Sequence, residues 1–513
     1  MPEKRRIIID STANAAVRKC IPHAKTMLHE GKSLVAVPYG IDESMVLKNL
    51  GFNVPAPIQH YYDWPARFEP MAHQRDTAAF LTMNKRALCL NAPGTGKTIS
   101  TLWAADFLLT EGVAKKVLII APLSTVKVVW GHELRHHMSH RSFVICTGSR
   151  QKRLQLLETP GVQYVIINHD GFTTMQADLK DFDVVIYDEA TALKTPGSQR
   201  FKTFYKWVNT CNPWLWMLTG TPISQSPVDS WTLARLVDSP TVDKSFTTFR
   251  DRVMQKVTTF KWAPRHDALE ICKKVLQPSI RFSLDECKDL PDTNFVGRKT
   301  TLTKQQEKAF AEMKDKAVTT FAAGQVAAPN TAVMLGKLLQ ICCGVVYSDD
   351  KTIELDAEPR YETLTELLTE IGDKAIIFVP LKGVQHWLME KLLADKYSVA
   401  LVNGDTSQKD RDVIFYNFQH TDSPTILLAH PQVAAHGLTL TRAKDIIWFA
   451  PIYSLERYEQ GNARIRRLST EGKTTVWHIW ATGFEAELYR RLRSKQDTLA
   501  EFLDLVSGVN NDD

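Results

Sequence analysis

Ten short apolar runs, rich in β-branched residues, constrain the fold of this chain more than any other feature of its sequence. They are Ala87–Asn91, Lys116–Ala121, Tyr164–Asn168, Asp183–Tyr187, Trp214–Leu218, Lys374–Val379, Val399–Val402, Thr425–Ala429, Asp445–Phe449 and Thr475–Trp480. Longer amphipathic segments separate these runs. Continuous apolar strands with helical spacers are typical of parallel sheets that helices cover on both faces. The sequence therefore predicts an α/β fold with two such sheets in tandem.

The stretch between the two sets of runs has a different pattern, and it divides the chain. Lys304–Phe321 and Thr331–Cys342 carry apolar residues at helical spacing. We predict an N-terminal extension at 1–60, a first lobe at 61–222, a mostly helical insertion and linker at 223–355, and a second lobe at 356–513. The second lobe should end in a helix over about 485–505, and the role of 1–60 stays open.

Bulk composition narrows the class of protein without naming a function. The apolar share is 44% and the formal charge is +6, so binding to a polyanion is allowed but not required. The eight cysteines form no C-x-x-C pair, which favours free thiols in a reducing compartment. Because no apolar stretch reaches the roughly 18 residues of a membrane span, we expect a soluble, cytoplasmic protein with no membrane partner.

A glycine-rich loop, Asn91-Ala-Pro-Gly-Thr-Gly-Lys-Thr98, follows the first run and precedes a helical pattern. Phosphate binding needs backbone N–H groups that approach closely, which suits Gly94 and Gly96. The ATP-binding part of the loop would be Pro93, Gly94, Thr95, Gly96, Lys97 and Thr98. Lys97 would reach the β- and γ-phosphates, and Thr98 would ligate Mg²⁺. The alternative is a Gly-rich turn that arose by chance.

Two carboxylates, Asp188 and Glu189, stand at the carboxyl end of the run Asp183–Tyr187. Ligands bind at this edge of parallel sheets. Asp188 would hold Mg²⁺, and Glu189 would orient the attacking water. A solvated loop is the alternative, but the pair follows Lys97 in the order that a nucleotidase needs.

Arginines follow the run Asp445–Phe449 in the segment Gln460–Arg467. Arg464 and Arg467 are three residues apart, so on a helix both would face one way. Such arginines stabilise the charge that develops on a transferring phosphoryl group. A solvated basic helix is the alternative.

Taken in order, these segments resemble the motifs of a superfamily 2 motor, and more narrowly those of the Swi/Snf ATPase family. The segments that carry the resemblance are Pro70–Gln74, Ala121–Ser124 with Trp130 downstream, Asp188–Lys194, Leu218–Pro222, Asn403–Asp405 with Arg411 and Phe418, Ala435–Leu440, and Gln460 with Arg464 and Arg467. Within the family, the pattern is similar to the HepA-related annealing-helicase branch and to compact phage-encoded relatives. The resemblance implies two RecA-like lobes in tandem.

The resemblance also implies roles for individual residues. Gln74 and Gln460 would belong to the ATP site, with Gln74 reading adenine. Contacts with DNA, or coupling of hydrolysis to movement, would fall to Ser124, Lys127, Lys194, Thr219 and Thr439. The sequence departs from the family pattern at two positions: Thr191 replaces a histidine, and His436 replaces a small residue. Asn91 stands at the usual first glycine of a phosphate-binding loop, which superfamily 2 helicases commonly lack.

The function we expect is that of an ATP- and Mg²⁺-dependent motor, acting as a monomer on duplex, forked or branched DNA in a bacterial or phage-infected cell. It would remodel replication or recombination intermediates. Two alternatives remain: a strand-separating DNA or RNA helicase of superfamily 2, and a nucleic-acid-binding module that no longer hydrolyses ATP. Lys194 and Trp130 favour the translocase over the first alternative, and intact Lys97, Asp188, Glu189, Arg464 and Arg467 argue against the second.

Overall fold

The computed structural model describes the chain except for residues 1–4, 11–13, 30–31, 224–225, 258–261, 284–285, 288–292, 323–327, 349–350, 435–439, 466–472 and 495–513. Its internal contacts divide it into two compact units. The first comprises Met1–Pro222, Asp229–Phe249 and Leu269–Ser283, and the second comprises Ile223–Val228, Arg250–Ala268 and Leu284–Asp513.

The first unit is built on a seven-stranded sheet in which every pairing is parallel. Its strands are β4 (Arg86–Cys89), β5 (Val117–Ala121), β6 (Phe143–Cys146), β7 (Tyr164–Asn168), β8 (Val184–Tyr187), β9 (Trp214–Leu218) and β12 (Ser279–Ile280). Their spatial order is β12-β4-β9-β8-β5-β7-β6. Every residue of β5, β7 and β8 is buried, because helices lie on both faces of the sheet.

A smaller antiparallel sheet precedes this one in the chain. It consists of β1 (Arg6–Ile9), β2 (Lys25–His29) and β3 (Lys32–Pro38), with β3 in the centre. Val17, Val35, Val37 and Leu47 form the centre of its own small core. The predicted N-terminal extension thus contains a folded α/β element.

Helices of the first part of the chain connect these strands. They are α1 (Asn14–Cys20), α2 (Ile41–Asn49), α3 (Ile58–Tyr61), α4 (Ala72–Thr82), α5 (Lys97–Thr110), α6 (Leu123–Thr125), α7 (His132–His137), α8 (Arg150–Leu157), α9 (His169–Met175), α10 (Gln199–Cys211), α11 (Ser230–Leu236), α12 (Phe246–Val253) and α13 (Ala268–Val275). A π-helical turn, Val126–Gly131, joins α6 to α7, and 3₁₀ turns occupy Ala190–Leu193 and Pro227–Asp229.

The second unit is built on a six-stranded sheet, again with every pairing parallel. Its strands are β13 (Thr293–Lys299), β16 (Ala375–Phe378), β17 (Val399–Val402), β18 (Ile426–Ala429), β19 (Asp445–Trp448) and β20 (Thr474–Trp480), in the order β13-β20-β19-β16-β18-β17. Two hairpins are formed by β10 (Met254–Lys256) with β11 (Trp262–Pro264) and by β14 (Val345–Ser348) with β15 (Lys351–Glu354).

Helices of this unit pack around the second sheet. They are α14 (Lys304–Ala322), α15 (Ala328–Cys342), α16 (Glu358–Ile371), α17 (Lys382–Ala394), α18 (Gln408–His420), α19 (Pro431–Ala434), α20 (Leu455–Asn462) and α21 (Gly483–Arg493). A fully buried ion pair ties two of them together, since Arg360 of α16 donates to both carboxylate oxygens of Glu485 in α21 at 2.6 and 2.8 Å. Removing either partner would destabilise the fold, because the remaining charge would be buried without a counter-ion.

These two parallel sheets confirm the predicted α/β class of two RecA-like lobes. Each of the ten predicted strands is present, with ends within two residues of the prediction. The predictions missed β6, and they missed β12 and β13, by which the intervening region adds an edge strand to each sheet. The predicted C-terminal helix is described as far as Arg493, and the rest of it lies outside the described residues. Among the described helices, none has the length and apolar composition to span a membrane.

Candidate functional site

The glycine-rich loop joins the end of β4 to the start of α5, as a phosphate-binding loop does. Gly94 and Gly96 have φ angles of 90° and 82°, in the left-handed region that glycine adopts without strain. At position 96 the space is also closed, because a β-carbon there would lie 2.3 Å from Nε2 of Gln74. The local chain therefore needs glycine for both its backbone angle and its packing.

Lys97 is the first residue of α5, and its ammonium group folds back over the loop. Nζ donates to the carbonyl oxygens of Asn91 and Ala92 at 2.8 and 3.1 Å. Thr98 follows on the same turn and is partly exposed. The loop thus carries a positive charge and a hydroxyl group at the amino end of a helix, a combination that suits an anion.

Two side chains of α4 hold this loop from behind. His73 donates through Nε2 to the carbonyl oxygen of Thr95 at 2.9 Å, and Gln74 donates through Nε2 to the same oxygen at 3.4 Å. The other end of the Gln74 amide accepts from the backbone N–H of Met71 at 3.1 Å. Both side chains are buried, with 7% and 1% of their surfaces exposed. The predicted adenine contact Gln74 therefore also fixes the loop, and His73 is a contact that the motif analysis missed.

Asn91 stands at the position of the usual first glycine of a phosphate-binding loop, and its side chain makes contacts there. Its Nδ2 donates to Oγ1 of Thr77 at 2.8 Å, and its Oδ1 accepts from the backbone N–H of Phe282 at 2.9 Å. The side chain is 1% exposed. It therefore ties the start of the loop to α4 and to the segment that follows β12, which a glycine could not do.

Asp188 lies at the carboxyl end of β8, where four contacts hold it. Its Oδ2 accepts from the indole N–H of Trp130 at 2.9 Å, and its Oδ1 accepts from the backbone N–H of Glu189 at 3.1 Å. Its backbone N–H donates to Ile120 at 2.8 Å, and its carbonyl oxygen accepts from His169 at 2.9 Å. Burial raises the pKa of Asp188, while the Trp130 hydrogen bond and the charge of Lys97 oppose that rise.

His169 is a second residue of this site that the motif analysis missed. Its ring lies nearly parallel to that of Tyr187, with centroids 4.8 Å apart, so its orientation is fixed. A signal was present in the sequence, because His169 directly follows β7 and therefore stands at the same sheet edge as Asp188. It supplies an imidazole next to a motif in which Thr191 replaces the family histidine.

Glu189 adopts a left-handed backbone conformation, with φ 50° and ψ 59°. This conformation is costly for a residue with a side chain, and such strain concentrates at functional sites. A 3₁₀ turn follows at once, and Lys194 ends it with its backbone N–H donating to the carbonyl oxygen of Thr191 at 3.1 Å. The strained residue thus stands between the carboxyl end of β8 and the 3₁₀ turn.

Sheet order brings the predicted residues of the first unit together. The strands β4, β9, β8 and β5 are neighbours, and parallel strands end at the same edge of the sheet. The residues that follow their carboxyl ends are the loop with Lys97, then Thr219, Asp188 and Ser124. Gly220 packs directly on the loop, because a β-carbon at this position would lie 3.0 Å from Cδ of Pro93. Thr219 is buried and accepts through Oγ1 from the N–H of Thr221 at 3.2 Å.

The remaining predicted residues of the first unit lie after β5. Ser124 is part of α6 and is partly exposed, whereas Lys127 lies in the π-helical turn and is exposed. Neither belongs to the buried side of the segment. Their exposure is compatible with a contact to a macromolecule.

In the second unit, Gln460 and Arg464 lie at the end of α20. The helix ends at Asn462, and Arg464 follows it in a turn. The expected alignment of Arg464 with Arg467 stays a prediction. Arg464 is 4% exposed, and its Nε donates to the carbonyl oxygen of Gln460 at 2.8 Å. A solvated basic surface does not describe this residue. Arg467 and Thr439 lie outside the described residues.

The donor set of the first unit fits a magnesium–nucleotide complex better than a metal ion alone. Among the described residues, no group of three or more His, Cys, Asp or Glu side chains forms a metal site. Mg²⁺ in nucleotide sites is commonly held by one or two protein oxygens together with substrate phosphates. The Asp188 carboxylate and the Thr98 hydroxyl are such oxygens, and the loop with Lys97 provides the place for phosphates.

Comparison with protein families agrees with this geometry. The family described as "SNF2-related domain" matches residues 73–345, and the family described as "Helicase conserved C-terminal domain" matches residues 359–469. Together these matches define a superfamily 2 ATPase. Because the first match alone covers more than half of the 513 residues, the chain belongs to the SNF2-related family.

Two relatives are similar to this chain over most of its length. Protein p41 of Acyrthosiphon pisum secondary endosymbiont phage 1 is 25% identical over 474 residues, which are 85% of this chain and 98% of p41. The SWI/SNF-related matrix-associated actin-dependent regulator of chromatin subfamily A-like protein 1 of Xenopus laevis is 24% identical over 425 residues, which are 80% of this chain and 42% of that protein. The chain thus spans nearly all of the phage protein and less than half of the Xenopus protein.

A solved structure also aligns with the chain. The Sulfolobus solfataricus SWI2/SNF2 ATPase core in complex with dsDNA is 20% identical, with a TM-score of 0.40, over 87% of this chain and 95% of that one. The family matches and the two relatives confirm the expected resemblance to Swi/Snf proteins and to a phage-encoded relative.

Proposed function

We propose that this SNF2-related ATPase is a DNA translocase, which couples ATP hydrolysis to movement on duplex, forked or branched DNA. The observation that carries the proposal is the convergence of Lys97, Asp188 and Thr219 on one edge of the first sheet, directly after the neighbouring strands β4, β8 and β9. A lysine in this position binds phosphate, and an aspartate holds the metal ion. Thr219 belongs to the motif that is expected to couple hydrolysis to movement.

Each of these residues of the first unit has its own role in ATP hydrolysis. Lys97 binds the β- and γ-phosphates, and the loop after Pro93 surrounds them with the backbone N–H groups of Gly94, Thr95 and Gly96. Thr98 and Asp188 provide oxygens for Mg²⁺, and Glu189 orients the attacking water. Bound MgATP supplies a phosphoanhydride bond and a cation that neutralises its charge. For Gln74 we propose two roles, contact with adenine and support of Thr95.

Residues of the second unit stabilise the charge that develops on the γ-phosphate during transfer. We assign this role to Arg464 and Arg467, with Gln460 nearby in the same motif. Burial of Arg464 supports the assignment, because a guanidinium held by a backbone carbonyl is already oriented. Arginines in this role raise the rate by about 10³- to 10⁵-fold in other phosphoryl-transfer enzymes.

DNA is the partner that the exposed polar residues favour. Lys127 is exposed beside Ser124. Thr439 and Lys194 belong to motifs that are expected in this family to contact DNA or to couple hydrolysis to movement. Such contacts reach the phosphate backbone, so binding should have little sequence preference and should weaken as salt rises. The net charge of +6 is compatible with a polyanionic partner. A strand-separating helicase is the second candidate, favoured by the helicase C-terminal domain at 359–469.

ATPase rates measured without nucleic acid and with single-stranded DNA, duplex DNA, forked DNA and RNA test this proposal. Stimulation by duplex or forked DNA is expected, and stimulation by RNA alone would overturn the DNA assignment. Lys97→Ala should reduce turnover to background while the protein keeps its thermal unfolding midpoint. Exposed Lys127→Ala is the comparison: it should keep turnover without DNA but need more DNA for stimulation. Absence of turnover under every condition would support a binding module.

A further inference from the structure

Trp130 connects the metal-holding carboxylate to the segment that carries the candidate DNA contacts. Its indole N–H donates to Oδ2 of Asp188 at 2.9 Å, across 58 residues of sequence. The ring is fully buried in the core of the first unit. A hydrogen bond to a charged acceptor is stronger than one between neutral groups. The orientation of Asp188 therefore depends on where Trp130 lies.

The backbone around Trp130 is a π-helical turn, Val126–Gly131, between α6 and α7. Turns of this kind are rare in proteins, and those that occur are often found at functional sites. Gly131 ends the turn against a neighbouring strand, because a β-carbon there would lie 2.9 Å from Cδ1 of Ile145. One residue of an α-helix rotates the side-chain direction by about 100°. An inserted residue in this turn therefore changes which way Trp130 points relative to α6.

The same segment begins directly after β5 with a hydrogen-bonded turn. Both the backbone N–H and Oγ1 of Thr125 donate to the carbonyl oxygen of Pro122 at 2.9 Å. Ser124 and Lys127 lie on the outer side of this short stretch, while Trp130 lies on its inner side. A shift of the stretch that follows a contact at Ser124 or Lys127 would move the indole N–H as well.

The other buried tryptophans of this unit show that packing alone does not require such a bond. Trp103, Trp207, Trp216 and Trp231 donate to the backbone carbonyls of Pro65, Leu179, Asn84 and Asp243. Among these five buried tryptophans, it is Trp130 whose indole N–H bonds to a carboxylate of the candidate site.

We propose that Trp130 is a positioning residue, which links the binding of Mg²⁺ and nucleotide at Asp188 to the conformation of residues 123–131. Through this conformation it links nucleotide binding to the affinity for DNA. The inference rests on the proposed function, since it needs both a nucleotide at the loop and DNA at this segment. Coupling of this kind is reciprocal: nucleotide changes DNA affinity by the same factor by which DNA changes nucleotide affinity.

Equilibrium binding with Trp130→Phe tests the proposal, because phenylalanine keeps an aromatic ring in the core and removes the N–H group. Affinity for a duplex DNA is measured with and without a non-hydrolysable ATP analogue and Mg²⁺. In the wild type, the two affinities should differ. In Trp130→Phe this difference should shrink by about 10-fold, the factor that corresponds to one lost hydrogen bond to a charged group. Trp207→Phe is the matched control, because it loses an indole bond to a backbone carbonyl and should keep the wild-type difference.

Hydrogen exchange of the wild-type protein provides a second measurement that needs no variant. Amides of residues 123–131 should exchange more slowly when the analogue and Mg²⁺ are added without DNA, and less so with the analogue and EDTA. This inference is wrong, while the proposed function stands, if the ATP analogue changes DNA affinity equally in Trp130→Phe and Trp207→Phe. It is also wrong if hydrogen exchange at 123–131 does not depend on Mg²⁺. If the wild type binds neither the analogue nor DNA, both are wrong.

Discussion

Gly220 lies directly against Pro93, so that a β-carbon on residue 220 would be 3.0 Å from Cδ and 3.3 Å from Cγ of the proline ring. Residue 220 follows β9, and residue 93 lies in the loop after β4, the adjacent strand of the sheet. The motif that is expected to couple hydrolysis to movement thus touches the phosphate-binding loop itself. A displacement of either segment is therefore transmitted to the other by direct contact.

We expect Gly220→Ala to slow turnover by about 10-fold with little loss of stability, since the added methyl group shifts the loop by a few tenths of an ångström. Steady-state ATPase kinetics and thermal unfolding provide the measurement. Gly197→Ala is the control, because residue 197 is exposed and nothing lies within 4 Å of a β-carbon there. Equal rates for the two variants would contradict the prediction.

Asn91→Gly introduces the usual first glycine of a phosphate-binding loop, and we expect it to destabilise this protein. The change removes the hydrogen bonds to Thr77 and Phe282 and leaves a void at a buried position. The free energy of unfolding should fall by about 2–4 kcal/mol. Urea unfolding measures it, and exposed Asn53→Gly should cost less than about 1 kcal/mol. A loss for Asn91→Gly no larger than that of the control would show that the side chain contributes little.

His478 should make the stability of the second unit depend on pH. The ring is buried between Phe295 and Tyr489 and is hydrogen-bonded to Tyr458, and burial lowers its pKa from 6.5 to about 3. The unfolded chain therefore binds a proton that the folded one does not between these values. This contribution to stability is complete above pH 6.5 and is lost as the pH falls toward 3.

The pH effect is measured as a difference between wild type and His478→Gln, whose side chain does not titrate. From pH 6.5 to pH 5 the free-energy difference between the two proteins should shrink by about 2 kcal/mol. A difference that stays constant over this range would mean that His478 titrates normally in the folded state.

Arg464→Ala should lower turnover far more than nucleotide affinity. If the guanidinium acts on charge that develops during transfer, kcat falls by about 10³-fold, and binding of an ATP analogue changes little. Arg457→Ala is the matched control, because Arg457 is exposed on α20, the helix directly before Arg464. An affinity loss as large as the rate loss would instead make Arg464 a ground-state binding residue.

Local pattern was enough to predict the two sheets, the loop from Asn91 to Thr98 and the position of Asp188 after a buried strand. These features are encoded within a few adjacent residues, by continuous apolar runs and by glycine at the point where a strand becomes a helix. The shared edge of parallel strands then brings the loop, Asp188 and Thr219 together without any knowledge of side-chain contacts.

The tertiary structure decided which side chains hold those residues in place. Trp130 and His169 at Asp188, His73 at Thr95, and the bonds from Asn91 to Thr77 and Phe282 are such contacts. It also decided that β12 and β13 pair with strands far away in the chain. A hydrogen bond between distant residues depends on the relative position of whole elements and on side-chain direction. Sequence periodicity specifies the buried face of each element, but not which distant group its polar atoms will meet.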